Sequence, residues 1–374
     1  MKAVIMAGGQ GTRLRPLTSN RPKPMIPILN TPCMEHIVRL LKGHGFENIL
    51  VTLEYMPEAI SEYFGDGGGW GVNMEYSVEE EPLGTAGSVK YIEDWLTERF
   101  VIVSGDALTD VDLERAVAFH EERGAEVTLI LKEVDDPSEF GIVITDDEGR
   151  VTEFLEKPDE DEVFSYTANT GIYVVEPHVL QDIPGGQEYD WSEDHFPKML
   201  EEGRPVYGYV MKGYWEDIGN IEQYMSAQRD ALDSKVQGVQ PQGEKLREGV
   251  YAGSGTTVKV RVVEGPVVLG DNVWAGSGAS IGPYSVLGPD VYVGAGASVA
   301  RATVAAGAQI GEGAELNGAL VGSSCKVGAR ARLLEGSALG DGVTVGEGAT
   351  IASGVSVESG ESIEAGAEVT EDVP

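Results

Sequence analysis

The chain has only two cysteines in 374 residues, Cys33 and Cys325, and they stand far apart. A disulfide framework is disfavoured, and a reducing cytoplasm is the expected setting. No apolar run approaches the roughly 18 residues that a membrane-crossing helix needs, and no signal peptide is expected ahead of the first strand. Cations are scarce. The 27 Lys and Arg residues, 12 of them Lys, face 62 Asp and Glu, giving a formal charge of −35. The acidic excess is spread along the chain and reads as a solvated surface suited to a salt-rich, halophilic cytoplasm. The same charge disfavours nucleic acid and anionic membranes as partners.

Against that scarcity, the opening stretch is unusual. Ala3 to Met6 reads as a buried strand that runs into a glycine-rich loop at Gly8, Gly9 and Gly11. Glycines after a strand let backbone N–H groups approach a phosphate chain without Cβ obstruction. The loop then gathers Arg13, Arg15, Arg21 and Lys23. A guanidinium offers a fixed fork to phosphate oxygens and an ammonium a movable point charge. The loop lacks the lysine-serine ending of a Walker sequence, yet it is built to hold phosphate.

Residues 1 to about 225 alternate apolar strand-like runs (Ile49–Leu53, Phe100–Ser104, Glu126–Leu131, Gly141–Thr145, Gly171–Val175) with helical patterns such as Met34–Lys42. The alternation predicts an α/β domain with a mostly parallel, Rossmann-like sheet, its ligands beyond the carboxyl ends of the strands. A polar connector is expected over residues 226–250. Beyond it, aliphatic residues recur every six positions, from Leu269, Ala275 and Ile281 to Val299, then from Ile310 to Ile363 after an interruption and a one-residue slip. A six-residue aliphatic period predicts a left-handed parallel β-helix over residues 251–374, and the sixteen positions counted give about five coils. Hexapeptide β-helix enzymes that transfer acyl groups use a histidine base, and this chain has no histidine after His195.

The ordered motifs Gly8-Gly-Gln-Gly-Thr-Arg-Leu-Arg-Pro-Leu-Thr18, Arg21-Pro-Lys-Pro-Met25, Pro82-Leu-Gly-Thr-Ala-Gly-Ser88, Ser104-Gly-Asp106, Phe140-Gly141, Glu156-Lys-Pro158, Asn169-Thr-Gly171 and Tyr214-Trp-Glu-Asp-Ile-Gly219 resemble the sugar-1-phosphate nucleotidylyltransferases. The resemblance spans nearly the whole chain. It is nearest to the mannose-1-phosphate guanylyltransferases that carry a hexapeptide-repeat tail. It implies transfer of NMP from an NTP to a hexose-1-phosphate, with GTP and mannose-1-phosphate favoured. The alternatives are a glucose-1-phosphate thymidylyl- or uridylyltransferase, or a catalytically inactive regulatory subunit that binds nucleotide-sugar.

The resemblance also assigns roles. Ala7, Gly8, Gly9, Gly11, Thr12 and Arg13 would hold the triphosphate, with Arg13 on the leaving pyrophosphate and Lys23 on the attacking and α-phosphates. Asp106 and Asp217 would hold Mg²⁺, a hard cation served by one or two carboxylates plus phosphate oxygens. Pro82, Gly84 and Thr85 would line the base pocket, with Glu79 at its edge. Guanine offers two N–H donors there, which suit a carboxylate acceptor, whereas uracil and thymine offer one. Gly141, Glu156, Lys157, Asn169 and Thr170 would meet the sugar phosphate. Parallel sheet ends need cover, so a homo-oligomer through residues 250–374 is expected. All assigned residues precede Gly219, so a chain ending near residue 240 is expected to retain transfer.

Overall fold

The computed structural model describes residues 1–158, 162–259 and 262–374. Contacts gather them into two compact units, one of Met1–Gly9 with Cys33–Asp217, the other of Gln10–Pro32 with Ile218–Pro374. This division departs from the expected boundary near residue 225. The helix Ile221–Leu232 belongs to the second unit because its polar side chains grip the early loop. The Tyr224 hydroxyl and the Gln228 amide both donate to the Pro27 carbonyl, at 2.9 and 3.0 Å, while Gln228 Oε1 accepts from the Leu29 N–H.

In the first unit nine of the described strands form one sheet, and two more pair in a separate short ribbon. Lys2–Met6 lies between Asn48–Leu53 and Phe100–Ser104, and Asn73–Val78 follows on the Asn48–Leu53 side, all parallel. Ala3, Val4 and Ile5 are fully buried, as a strand covered on both faces requires. Next to this parallel block, Thr167–Val175 runs antiparallel to Phe100–Ser104 and Val127–Glu133. The helix expected over Met34–Lys42 spans Cys33–Gly43 and buries Met34, Ile37, Val38 and Leu41.

In the second unit, residues from Val250 onward coil through three parallel sheets. The repeating strands of one sheet begin at Val250, Val267, Ser285, Thr303, Leu320, Ala338 and Ser356, so among the described residues there are seven coils rather than five. The sequence count started at Leu269 and missed Ala252 and the partly buried Val258 and Val263 of the first coil. The apparent interruption after Val299 is a short side. Val304 fills the inward position five residues on, and Val321 does the same after Leu316. Small residues two positions before the aliphatic ones, such as Ala279, Ala297, Ala314 and Ala349, are also fully buried and belong to the same core. Cys33 and Cys325 are both buried and are not bridged to each other. Among the described residues no helix is long and apolar enough to cross a membrane.

Candidate active site

The site residues of the first unit start where the first strand ends. The Ala7 N–H donates to the Thr52 carbonyl at 3.0 Å, and the Met6 carbonyl accepts from Gly105 at 2.8 Å. A Cβ on Gly105 would lie 3.0 Å from that carbonyl and 3.3 Å from the Ala7 methyl, so glycine lets the Ser104-Gly-Asp106 turn close on the loop without pushing either aside. The Ser104 hydroxyl donates to Asp106 Oδ1 at 2.5 Å, fixing the carboxylate. Trp215–Asp217 pairs antiparallel with Ala107–Thr109, setting Asp217 opposite Ala107. Two motifs 111 residues apart therefore deliver two carboxylates to one short ribbon. No cluster of three or more His, Cys, Asp or Glu that could hold a metal occurs among the described residues. Two hard oxygen donors with phosphate or water completing the shell suit Mg²⁺ and suit softer, fully protein-ligated metals poorly. Glu54, which sequence reasoning missed, lies against Gly8 in this part of the site.

The sugar-side residues also converge within the first unit. The Gly141 carbonyl accepts from the Asn169 N–H at 2.7 Å, and the Phe140 carbonyl from the Lys157 N–H at 3.1 Å. A Cβ on Gly141 would fall 2.5 Å from Glu156 Oε2, so the missing side chain makes room for that carboxylate. Burial raises the Glu156 carboxyl above its ordinary range, opposed by Lys157 and reinforced by Asp190. Lys157 adopts the left-handed φ of 42° and keeps its ammonium 3.6 Å from Glu156 Oε1, with the side chain mostly exposed. The Asn169-Thr-Gly171 motif forms a bulge in its strand, where Gly171 takes φ 72°. Asn169 donates to the Tyr173 and Ser192 hydroxyls at 3.0 and 3.3 Å. Thr170 departs from its expected role. It is 2 % exposed, donates its hydroxyl to the Ile130 carbonyl at 2.7 Å and gives its own carbonyl to Trp215 Nε1, so it supports the sheet rather than presenting a hydroxyl.

The base-side segment is more committed to its own architecture than the sequence suggested. Glu79 is half-buried, and one carboxylate oxygen accepts from the Leu83 N–H at 3.1 Å. Burial raises its carboxyl, and the nearby Glu54 charge adds to this. Gly84, at φ 70°, opens the helix Gly84–Tyr91, and a Cβ there would strike the Tyr189 carbonyl at 2.7 Å. That carbonyl accepts from the Ala86 and Gly87 N–H groups. The Thr85 hydroxyl donates to Asp190 at 2.6 Å and accepts from the Trp191 N–H. Pro82 remains exposed. The missed residue here is Asp190, which also accepts from Ser192 and Glu193 and so joins Thr85 to the segment that reaches Asn169.

The rest of the opening motif belongs to the second unit. Gly11 takes φ 65°, its carbonyl accepts from the Thr18 hydroxyl at 2.8 Å, and a Cβ would meet Lys23 Cβ and the Thr18 methyl at 3.0 Å. Glycine thus brings Lys23 against the loop. Thr12, Arg13 and Arg15 are exposed, and Lys23 is half-buried. Arg21 is not presented with them. Its guanidinium bonds both oxygens of Asp341, at 3.1 and 3.0 Å, and the Ser323 hydroxyl at 3.0 Å.

The family model described as nucleotidyl transferase matches residues 2–234, more than half of the chain. The chain belongs to the nucleotidyl transferase family. A second model, described as the GMPPB C-terminal domain, matches residues 263–371 of this nucleotidyl transferase. It is 43% identical over 286 residues to a UTP–glucose-1-phosphate uridylyltransferase of Synechocystis, covering 72% of this chain and 74% of the relative. It is 37% identical over 290 residues to a mannose-1-phosphate guanylyltransferase of Mycobacterium tuberculosis, covering 75% and 76%. Among solved structures, a putative glucose-1-phosphate thymidylyltransferase from Bacillus anthracis in complex with a sucrose aligns with a TM-score of 0.56 and 27% identity, over 61% of this chain and 94% of that one. HddC from Yersinia pseudotuberculosis complexed with GMP-PN aligns with a TM-score of 0.53 and 26% identity, over 61% and 97%.

Proposed function

We propose that this nucleotidyl transferase makes GDP-mannose from GTP and mannose-1-phosphate. An oxygen of the sugar phosphate attacks the α-phosphorus of the triphosphate. The bond from that phosphorus to the β-phosphate oxygen breaks, and pyrophosphate leaves in line. Little covalent chemistry falls to the protein, which aligns the reactants and offsets charge. Arg13, with the backbone of Ala7 to Thr12, holds the triphosphate and leaving pyrophosphate, and Lys23 holds the attacking and α-phosphates. Glu156 accepts from sugar hydroxyls, Lys157 meets the sugar phosphate, and Asn169 and the Gly141 backbone orient the ring. Asp106 and Asp217 are the residues that would hold Mg²⁺, which when bound supplies positive charge to the phosphate oxygens.

The observation that carries the reading is the ribbon pairing Asp217 with Ala107 beside Asp106, next to the strand that starts the glycine loop. An inactive subunit is disfavoured because Arg13, Lys23, Asp106, Lys157 and Asp217 are all present. For the base, Glu79 supports guanine. Its second oxygen, beside the one bound to Leu83, can accept from the guanine edge. The guanylyltransferase relatives and the tail domain support the same substrate pair. One observation favours a second reading, UTP with glucose-1-phosphate: the Synechocystis relative at 43% identity. The buried thiols, not bridged to each other, fit a cytoplasmic setting, and the coiled tail would carry the contacts of a homo-oligomer. The test is kcat/KM for each NTP with mannose-, glucose- and N-acetylglucosamine-1-phosphate in Mg²⁺. GTP with mannose-1-phosphate should lead. A lead for UTP with glucose-1-phosphate would replace the substrate assignment and leave the reaction class standing.

A further inference from the structure

The expectation that residues beyond about 240 are dispensable conflicts with what holds the phosphate loop. Residues 10–32 are a long irregular segment whose only regular elements are two single-turn 3₁₀ helices and two two-residue strands. Such a segment needs external support to keep one conformation. Its supports come from the coiled tail and the helix preceding it. Ser19 Oγ donates to Glu358 at 2.7 Å, and Arg21 grips Asp341 and Ser323. Asn30 donates to the Leu287 carbonyl at 2.9 Å, and Gln242 donates to the Thr31 hydroxyl at 2.9 Å.

We infer that Arg21 and Asp341 form a latch by which the β-helix positions Lys23 for phosphate transfer. The receiving end is preset. Asp341 Oδ1 also accepts from the Ser323 N–H at 2.7 Å, and the Asp341 N–H donates to Ser359 Oγ at 3.1 Å, so three successive coils fix the carboxylate. A single guanidinium nitrogen, Nη2, reaches both carboxylate oxygens, and each side chain is only about a quarter exposed. From Arg21 the effect passes along a short, stiff path. Pro22 and Pro24 flank Lys23, each with a constrained φ, and the Lys23 stem closes on the bare Cα of Gly11. Arg13 lies two residues beyond Gly11 in the same loop. Arg21 is therefore a positioning residue, and the tail is part of the transfer apparatus. The charge explains the choice of an ion pair. In a chain of net charge −35, a cation within the phosphate loop draws carboxylates, and binding Arg21 to one fixed carboxylate leaves the loop in a defined state.

This inference rests on the proposed role of Lys23, and its test has one readout that depends on that role and one that does not. The full-length chain is compared with Arg21→Ala, Asp341→Asn and the charge-conserving Arg21→Lys. A partly exposed ion pair contributes little to global stability, so the melting temperature should barely move. Hydrogen exchange over residues 10–25 should speed up in Arg21→Ala and Asp341→Asn and stay closer to the parent in Arg21→Lys, which keeps a cation opposite Asp341, whether or not the protein turns over. In pyrophosphate release, kcat should fall by roughly tenfold or more in Arg21→Ala and Asp341→Asn, as expected for a displaced phosphate-binding group, and by less in Arg21→Lys. Unchanged exchange over residues 10–25, or unchanged kcat in an active parent, would overturn the latch. A loss in Arg21→Lys as large as that in Arg21→Ala would overturn it as well. A parent without pyrophosphate release would instead count against the proposed function, and the exchange data would still decide the latch.

Discussion

Gly141→Ala is a one-carbon change whose consequence can be worked out from distances. The new Cβ would sit 2.5 Å from Glu156 Oε2 and 2.8 Å from Phe154 Cζ. Non-bonded carbon and oxygen tolerate about 3.4 Å, so the carboxylate must retreat by about 1 Å. Gly141 has no left-handed φ, so its backbone accepts alanine. The Glu156 carboxylate is the far end of a flexible side chain and yields easily, whereas the Phe154 ring edge yields less. The stability loss should be about 1–2 kcal/mol. The functional loss should be larger. A charged acceptor displaced from sugar hydroxyls forfeits about 1.5–3 kcal/mol, or roughly 10- to 150-fold in kcat/KM for the sugar phosphate. The KM for the nucleotide should move little. Steady-state pyrophosphate release with each substrate varied in turn, beside urea unfolding of the same preparations, separates the two effects. A sugar KM and kcat equal to the parent's in a folded Gly141→Ala protein would refute the placement of Glu156 at the sugar.

Two further outcomes follow from buried polar groups. His195 is fully buried among aromatic rings, 5.3 Å from Trp191 and 6.0 Å from Tyr189 by centroid, and burial pushes its pKa down to about 4. The unfolded chain takes up a proton near pH 6.5 and the folded chain only near 4, so this residue's contribution is intact above about 6.5 and is lost as pH falls toward 4. His195→Phe should remove that dependence, so the stability difference between parent and variant should change by on the order of 3 kcal/mol between pH 7 and pH 4 in urea unfolding; a constant difference would contradict the buried neutral imidazole. Thr170→Val should cost about 1–2 kcal/mol of stability by leaving the Ile130 carbonyl without its donor, with the sugar KM unchanged. A raised sugar KM would restore Thr170 to the substrate site.

Much of this fold could be read from the chain because its periodicities are strong and local. The run Ala3–Met6 is apolar without alternation, as a strand buried on both faces must be, and the six-residue period marks the coils. Alanine carries a weak signal in a hydropathy pattern, so the buried Ala279, Ala297 and Ala314 went unread, and the coils were undercounted because the first, with Ala252, Val258 and Val263, lies ahead of the counted register. Proximity was legible where two motifs meet, as Gly141 and Glu156 do. Motif membership was less informative where a residue serves the scaffold. Thr170 and Arg21 sit inside motifs, yet their partners, Ile130 and Asp341, are 40 and 320 residues away. Asp190 was invisible for the same reason, since its partner Thr85 is 105 residues distant. Pairings across such separations depend on tertiary register, which a linear pattern does not carry.

The central claim is sugar-dependent transfer of a nucleoside monophosphate, and product stoichiometry tests it most directly. The full-length chain with GTP, mannose-1-phosphate and Mg²⁺ should yield GDP-mannose and pyrophosphate in equal amounts by mass spectrometry and phosphate analysis, and Asp217→Asn, folded as the parent, should yield neither at a comparable rate. Nucleotide binding without pyrophosphate from any NTP and sugar-1-phosphate pair, or NTP cleavage indifferent to the sugar phosphate, would contradict the account.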